Sequence, residues 1–392
     1  MNSKLLYQLV DKPITGEWGQ EGGLVKVIRT ANFTNQGVIN FSKVVQRDIA
    51  DCKVQLKKLQ KNDIIIEKSG GSPEQPVGRV VFFDCKGTFL CNNFTSILRP
   101  KSDLVYPKYL HYILFSNHKF GFVRKFQNKT TGIINLQLPR YIKETKIPLP
   151  PLPEQKKIAV ILDAADQLKQ KDQQLIEHYN RLSQSLFLDM FGDPVTNIHG
   201  FELGTIRDLV DAVNYGTSNK AQAEGEYPYL RMNNITYDGY MDFKSLKYID
   251  LLEKEKVKFL VKKGDVLFNR TNSKELVGKT GMYNEDSEMA IAGYLIRVRT
   301  NERANPAYIW RHLNSKHTKQ VLSHMCKSIV GMANINAQEL QKIKILIPPI
   351  TLQNQFAEHI AAIEAQKQQA QLNLKKSTEL FNSLLQRAFL NP

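Results

Sequence analysis

Ile147-Pro148-Leu149-Pro150-Pro151-Leu152-Pro153-Glu154-Gln155-Lys156-Lys157-Ile158 marks the place where the character of the chain changes, and Ile345-Leu346-Ile347-Pro348-Pro349-Ile350 marks a second such place near its end. Each stretch carries an apolar run into a proline pair, and each is followed by a long helical pattern. After the first, apolar residues fall at Ile158, Ile161, Ala165, Leu168, Leu175, Tyr179, Leu182 and Leu186. Steps of three and four, passing over Asp172, predict a coiled-coil seam. After the second the seam reads Phe356, Ile360, Ile363, Ala370, Leu374, Phe381 and Leu384. From Glu154 to Phe191 the first helix would extend roughly 55 Å at the usual rise per residue. Gly192-Asp193-Pro194 ends it, since glycine suits the position past a helix end and proline cannot continue one.

Working outward from these stretches, the rest of the chain also occurs twice. Arg29, Asn32, Thr34 and Gly37 match Arg231, Asn234, Thr236 and Gly239. Lys61-Asn62-Asp63 before Ile64-Ile65-Ile66 matches Lys263-Gly264-Asp265 before Val266-Leu267-Phe268. Val77-Gly78-Arg79 matches Val277-Gly278-Lys279, and Thr131-Gly132 through Asn135 matches Val330-Gly331 through Asn334. The order is kept at a spacing of about 200 residues, the signature of an internal duplication. Short β-forming runs, such as Arg79-Val80-Val81-Phe82-Phe83 and Tyr294-Leu295-Ile296-Arg297-Val298, are punctuated by Gly, Asn and Pro. Pro107 and Pro306 each open a helical stretch, where a missing N–H costs nothing. The expected fold class is α+β: two similar mixed α/β domains separated by two long antiparallel coiled-coil-forming helices, with pseudo-twofold internal repetition. The expected boundaries are 1–150, 151–194, 195–347 and 348–392.

The chain has 392 residues, 42% hydrophobic and 23% charged, enough for two domains with cores of their own. Its 54 Lys and Arg against 38 Asp and Glu give a net charge of +16 and a pI near 9.5. Such an excess concentrates polyanions at the surface, nucleic acid foremost, with an anionic membrane and an indifferent basic surface as the rivals. Nothing approaches the ~20 apolar residues of a membrane span. Met1-Asn2-Ser3-Lys4-Leu5-Leu6 has no basic region leading into a long apolar run, which argues against a secretory leader. Cys52, Cys85, Cys91 and Cys326 lack zinc spacing and read as free thiols of a reducing cytoplasm.

Catalytic patterns are weak. Gly278-Lys279-Thr280 ends like a phosphate loop, but the leading glycine is replaced by Ser273. Asp63 with Asp84-Cys85-Lys86 resembles a metal-nuclease set, yet the second copy offers Asp265 with Asn284-Glu285-Asp286 and no lysine. Turn or capping aspartates explain Asp63 and Asp265 more simply. Asn305-Pro306-Ala307-Tyr308 approaches an amino-methyltransferase motif, but no glycine-rich loop precedes it. The histidines form no ligand pair.

Taken together, the Pro-Pro stretch at 147–158 with its helix and Met190-Phe191-Gly192-Asp193-Pro194 resemble the central conserved region of Type I restriction–modification DNA-specificity subunits. Leu346-Ile347-Pro348-Pro349-Ile350 and its helix resemble their C-terminal conserved region, although Thr351-Leu352-Gln353-Asn354-Gln355 departs from the usual Pro-x-x-x-Gln, with Gln355 as its nearest counterpart. Phe201-Glu202-Leu203-Gly204-Thr205-Ile206-Arg207-Asp208-Leu209 looks like the opening of a recognition domain; the first domain opens less typically. The resemblance covers essentially the whole chain. It implies two target recognition domains held by spacer helices, a non-catalytic cytoplasmic subunit, and an asymmetric bipartite target on double-stranded DNA. It further implies docking to two methyltransferase subunits and to restriction/translocase subunits. S-adenosylmethionine, ATP and Mg²⁺ would sit on those partners, with no cofactor on this chain and no membrane.

For base edges the residue types favour Arg29, Asn32, Asn35, Arg231, Asn233 and Asn234, in polar stretches after a short strand. Sharing between copies argues that Arg29/Arg231 and Asn32/Asn234 are scaffold, and that reading carries slightly more weight for them. Asn269, Arg270, Thr271, Asn272 and Lys274, with Lys68, Ser69 and Ser72 opposite, form the more variable polar loops. Lys125, Lys129, Thr130, Lys327 and Ser328 suit phosphate. The rivals from other classes are a stand-alone DNA nuclease or methyltransferase with duplicated readers, and a structural coiled-coil protein with basic β-rich heads.

Overall fold

The computed structural model describes residues 2–72, 75–130, 133–273, 276–325, 327–329 and 332–390. They form two compact units: Met1–Gln173 with Leu372–Pro392, and Gln174–Gln371. Each unit therefore takes one globular copy together with part of each long helix.

In the first unit a four-stranded antiparallel sheet runs in the order Ile14–Thr15, Thr95–Leu98, Ile64–Glu67, Val80–Phe82. Successive side chains on a strand point to opposite faces, and here both faces are covered. Ile64, Ile66 and Leu98 pack with Tyr109, Leu110 and Ile113 of the helix Pro107–Lys119. Ile65, Val81 and Ile97 face a second cluster with Phe33, Phe83 and Phe89. That is why Ile64-Ile65-Ile66 is an unbroken apolar run rather than an alternating one. A three-stranded sheet, Val45–Asp48, Gln20–Ile28, Phe89–Cys91, lies alongside. The strand Ser3–Leu5 pairs with Lys146–Pro148, so the start of the unit is closed by the strand that enters the proline stretch.

The second unit repeats this plan. Its sheet runs Val210–Tyr215, Leu295–Thr300, Val266–Asn269, Thr280–Met282, and Glu202–Thr205 pairs with Lys344–Ile347. Val266, Phe268, Ile296 and Val298 meet Tyr308, Ile309 and Leu313 of the helix Pro306–Leu313, while Leu267 and Leu295 face Leu230, Ile235 and Tyr283. The shared aspartates do one job in both. Asp63 accepts from the Gln60 amide at 2.7 Å and from the Arg99 guanidinium at 2.8 and 2.9 Å. Asp265 accepts from the Lys262 amide at 2.8 Å and from Arg299 at 2.8 and 2.7 Å. Both carboxylates are buried and neutralised by arginine, as turn residues rather than ligands for Mg²⁺. Gly37 and Gly239 both adopt left-handed backbone, φ 76° and 84°. A Cβ there would meet the Phe115 ring and the Asn314 amide respectively.

The long helices are Leu152–Phe191 and Ile350–Phe389. Gly192, with φ 72°, follows the first and donates its amide to Leu188 O at 2.9 Å. In the first unit Ala159, Leu162 and Ala165 pack with Phe381 and Leu385, and farther along Asp172 meets Ser377, so the two helices run antiparallel there. In the second unit Phe187 and Phe191 pack edge-on to Phe356, with ring centroids 5.7 and 5.2 Å apart. The seam expected for the second helix agrees with the burial of Phe356, Ile360, Ala370 and Phe381. The seam expected for the first does so only at Ala165. Ile161, Leu168, Leu175 and Leu182 are 44, 48, 39 and 40% exposed, and the buried line lies one residue on: Gln155, Leu162, Lys169, Ile176, Ser183, with Ala159, Asp166 and Phe187 beside it. The enclosed line is rich in polar residues, so counting apolar side chains favours its neighbour. Lys169 is held at 2.5 Å by Asp166 and sits 4.4 Å above the Phe381 ring.

One glutamine fixes each helix to its domain. Gln155 donates to Pro150 O at 2.8 Å and accepts from the Tyr106 amide at 2.8 Å. Gln353 donates to Pro348 O at 2.8 Å and accepts from the Asn305 amide at 2.9 Å. Gln353, not Gln355, thus fills the role, and Gln355 is exposed. Cys52, Cys85 and Cys91 are free thiols, and Cys326 lies outside the described residues.

Candidate nucleic-acid interface

Each unit carries one further sheet, small and polar. In the first, Ile133–Leu136 lies between Gln127–Thr130 and Ser69–Gly71. In the second, Met332–Asn334 lies between Lys327–Ile329 and Thr271–Asn272. Segments far apart in sequence thereby become neighbours. Asn135 stands opposite both Asn128 and Ser69, and Ser69 Oγ donates to Asn135 Oδ1 at 2.5 Å. Asn334 stands opposite both Lys327 and Thr271, whose Oγ1 donates to Asn334 Oδ1 at 3.4 Å. Asn135 and Asn334, legible in the sequence only as landmarks of the repeat, are the middle of these sheets. Lys129, Thr130, Lys327 and Ser328 lie on their outer strands. Val330, Gly331, Thr131 and Gly132 lie outside the described residues, as does Lys274.

The loops entering the small sheets differ between the copies. Lys68 Nζ donates to Thr15 Oγ1 at 3.2 Å, and burial lowers its pKa. At the corresponding place the Arg270 guanidinium sits 4.8 Å from the centroid of the Tyr215 ring, and its Nε is enclosed without a hydrogen-bond partner. Ser72 Oγ accepts from the Gln75 amide at 3.1 Å. Asn272 Oδ1 accepts from the Ser273 amide at 2.9 Å. Lys125 is exposed, with its ammonium 4.0 Å from the Phe122 ring centroid.

The Arg-x-x-Asn pairs are built alike. Asn32 Oδ1 accepts from the Arg29 amide at 2.9 Å and its Nδ2 donates to Asn40 O at 3.0 Å; Asn234 makes the same bonds with Arg231 at 2.9 Å and Asp242 O at 2.8 Å. The guanidinium groups donate to Lys43 O at 3.0 Å and Ser245 O at 2.9 Å. Asn32 and Asn234 are enclosed at 0 and 1% exposure, so these two turn residues do not present an edge to a base in this conformation. Asn35 and Asn233 are exposed beside them. Asn269 is also enclosed, at 0% exposure, at the end of a core strand. Of the polar residues singled out in the sequence, these three asparagines are therefore closed off by burial.

A basic cleft of about 440 Å³ in the second unit went unnoticed in the sequence. Lys279, Arg311, Lys316 and Lys319 line it, with Asp238. Lys319 Nζ donates to Gly278 O at 2.5 Å, and burial, with Lys279 nearby, pushes its pKa down to about 8. Burial also lowers the pKa of Arg311 and of Lys279. Three separate segments supply these cations, so no local pattern announces them. Among the described residues no three His, Cys, Asp or Glu side chains gather as a metal centre would need, and no helix is long and apolar enough to cross a membrane.

Comparison with known proteins bears on the whole chain. The family model for the Type I restriction modification DNA specificity domain matches twice, over residues 12–178 and 199–376. The Type I restriction enzyme EcoKI specificity subunit of Escherichia coli K12 is 25% identical over 364 residues, covering 85% of this chain and 75% of that one. The Type I restriction enzyme MjaVIII specificity subunit of Methanocaldococcus jannaschii is 25% identical over 358 residues, covering 86% and 78%. The crystal structure of a Type-I restriction-modification system S subunit from M. genitalium shares the fold with a TM-score of 0.63 at 17% identity, covering 99% of this chain and 96% of that one. With both copies matched, and each match running on into one of the long helices, the chain belongs to the family of Type I restriction–modification DNA specificity proteins.

Proposed function

We propose that the chain is the specificity subunit of a Type I restriction–modification complex, acting in the cytoplasm on double-stranded DNA. Each unit reads one half of an asymmetric bipartite target with its small sheet and the loops beside it. The observation that carries this is one scaffold built twice with different polar ends: Lys68 and Ser69 in one copy, Arg270 and Thr271 in the other, at the edge of the same sheet. Like buried turns with unlike polar loops are what two readers of different sequences require. Lys and Arg near phosphates supply affinity, and side chains that reach base edges supply discrimination. The exposed Asn35 and Asn233, the two small sheets and the basic cleft at Lys279 and Lys319 are the contact candidates.

On this reading two methyltransferase subunits and the restriction/translocase subunits dock to the chain. They bring S-adenosylmethionine, ATP and Mg²⁺, and this chain holds the target. The helices set the gap between half-sites.

Mapping methylated adenines in the source genome tests the reading: a split asymmetric motif, lost when this chain is deleted, is the expected result. Incubating the chain alone with DNA, Mg²⁺ and labelled S-adenosylmethionine should give neither cleavage nor transfer. Product from the lone chain would favour a stand-alone nuclease or methyltransferase instead.

A further inference from the structure

The two copies differ at one sheet edge, where exposed Thr15 and Tyr215 lie over buried Ser96 and Ile296, in a way that leaves the first with an opening. In the first unit Ile14 and Thr15 lie opposite Ile97 and Ser96; in the second Asn214 and Tyr215 lie opposite Arg297 and Ile296. The Asp63–Arg99 and Asp265–Arg299 pairs fix the two sheets in the same register. Thr15 thus corresponds to Tyr215 and Ser96 to Ile296. Lys68 corresponds to Arg270, since their amides donate to Phe94 O and Tyr294 O alike.

In the second unit the Tyr215 ring lies beneath the Arg270 guanidinium, and its hydroxyl oxygen accepts from the Ala337 amide at 2.8 Å. In the first unit the shorter Thr15 leaves a cleft of about 830 Å³. Leu136, Leu138 and Ile142 form its apolar wall, and Ser96 lines it, 1% exposed, with a hydroxyl that has no hydrogen-bond partner. Lys12, Lys68 and Lys143 also line it, and no carboxylate does.

We propose that this cleft is a nucleotide site: a planar base enters where the second copy holds its own tyrosine ring, and the attached phosphate meets Lys12, Lys68 and Lys143. The internal ring of the second copy shows what shape this fold accepts there, flat and stacked under a cation. The Ser96 hydroxyl supplies a polar contact for a base edge that Ile296 cannot. Three cations without a carboxylate select an anionic ligand over a tyrosine side chain from a partner protein. The nucleotide comes either from a DNA strand, as an unstacked residue, or from solution as a free nucleotide. Only supply from DNA rests on the proposed DNA-reading function.

The test titrates the full-length protein with the four deoxynucleoside 5′-monophosphates, with deoxyribose 5-phosphate, and with a tyrosine-containing peptide. Two variants fill the cleft with the side chains of the second copy, Thr15→Tyr and Ser96→Ile, each checked for folding by thermal unfolding. The expected result is one mononucleotide bound per chain, weakened at least about tenfold in both folded variants and about tenfold for the sugar phosphate, the loss of one stacking contact. Equal binding of sugar phosphate and nucleotide, or undiminished binding by a folded variant, overturns the proposal. So does preference for the tyrosine peptide, which would make the cleft a protein-docking site. Competition by a duplex with one unpaired nucleotide at lower concentration than free nucleotide assigns the source to DNA. Competition by free nucleotide alone assigns it to solution. Mononucleotide binding by a chain that ignores every duplex would leave the site standing and sink the DNA-reading function.

Discussion

The Ser377 hydroxyl donates to the Asp172 carboxylate over 2.8 Å, and both side chains are buried where the two long helices meet in the first unit. A carboxylate drawn out of water is costly unless it is hydrogen-bonded. Ser377→Ala should therefore lower unfolding stability by about 1–3 kcal/mol, the cost of a buried acceptor left unpaired. Replacing both partners, Ser377→Ala with Asp172→Leu, should recover most of it. Thermal unfolding of the parent and the two variants decides the point; a single variant as stable as the parent would mean that the bond contributes nothing.

Asn234 and Arg270 are both base-reader candidates by residue type but should fail differently. Asn234 is closed off and bonded at both ends of its amide, so Asn234→Ala should cost about 1–3 kcal/mol of stability and leave sequence preference intact. Arg270 borders the small sheet, and Arg270→Ala should reduce discrimination at one base position by about 1–3 kcal/mol with little change in melting. Binding measured against a panel of single-base changes in the target, beside a melt, separates the two. An Asn234→Ala protein with normal stability and relaxed preference would reverse the assignment.

A second contrast between the copies concerns an ion pair. Glu67 accepts two bonds at 2.8 Å from Arg79 in the first unit. The corresponding Asn269 and Lys279 have parted: Lys279 donates to Met232 O and Ile235 O at 3.1 and 2.6 Å, and both polar atoms of the buried Asn269 amide lack a partner. Substituting a buried orphan amide by an apolar group of like size removes an unpaired donor and acceptor. Asn269→Leu should thus be neutral or stabilising, whereas Glu67→Leu should be destabilising because the largely enclosed Arg79 loses its counter-charge. A destabilised Asn269→Leu protein would show that the amide does have a use in the fold.

These contrasts explain which parts of the protein are legible in its sequence. The duplication is, because Asp63/Asp265, Gly37/Gly239 and the strand Ile64–Glu67 and its counterpart hold positions that few other residues can fill. The second helix's seam is legible at Phe356, Ile360, Ala370 and Phe381, the apolar members of a buried line that also holds Lys367 and Ser377. The first helix's is not, because polar Gln155, Asp166, Lys169 and Ser183 occupy much of its buried line, and a count of apolar residues does not register them. The same limit applied to the candidate site. Asn32, Asn234 and Asn269 have the chemistry of base readers, but hydrogen bonds to the backbone or plain enclosure hold them inside. The Lys279–Lys319 cleft is assembled only by the fold.

The proposed spacer role of the helices yields a prediction in base pairs. Adding one turn to the first helix alone should change the gap between half-sites, or abolish recognition by breaking the buried line after the insertion. Adding seven residues to both helices keeps a heptad line in register and lengthens each by about 10 Å. That double insertion should restore recognition with a gap longer by about three base pairs, taking one turn of duplex as about 34 Å. Methylation mapping in cells carrying each variant reads the gap directly. A double-insertion protein that still modifies the original motif would show that the helices are not the ruler.

Lys319 makes affinity depend on pH within an accessible range. Burial, with Lys279 beside it, pushes its pKa down to about 8 from an ordinary 10.5. The unfolded chain then holds more protons than the folded one between about pH 8 and 10.5, so Lys319 makes stability rise with pH across that window, and its penalty is fully present below pH 8. Its charge follows the opposite course, present below pH 8 and lost above. If the cleft meets a DNA phosphate, duplex affinity at constant salt should fall as pH rises past about 8, with the midpoint displaced upward in the complex by the phosphate charge. Lys319→Met should bind more weakly at pH 7, lose that step in the pH profile, and gain stability below pH 8. Lys279, Lys316, Arg311 and Asp238 also line the cleft, so the Lys319→Met profile is what assigns the step to Lys319. An affinity profile that Lys319→Met leaves unchanged would remove this cleft from the DNA interface.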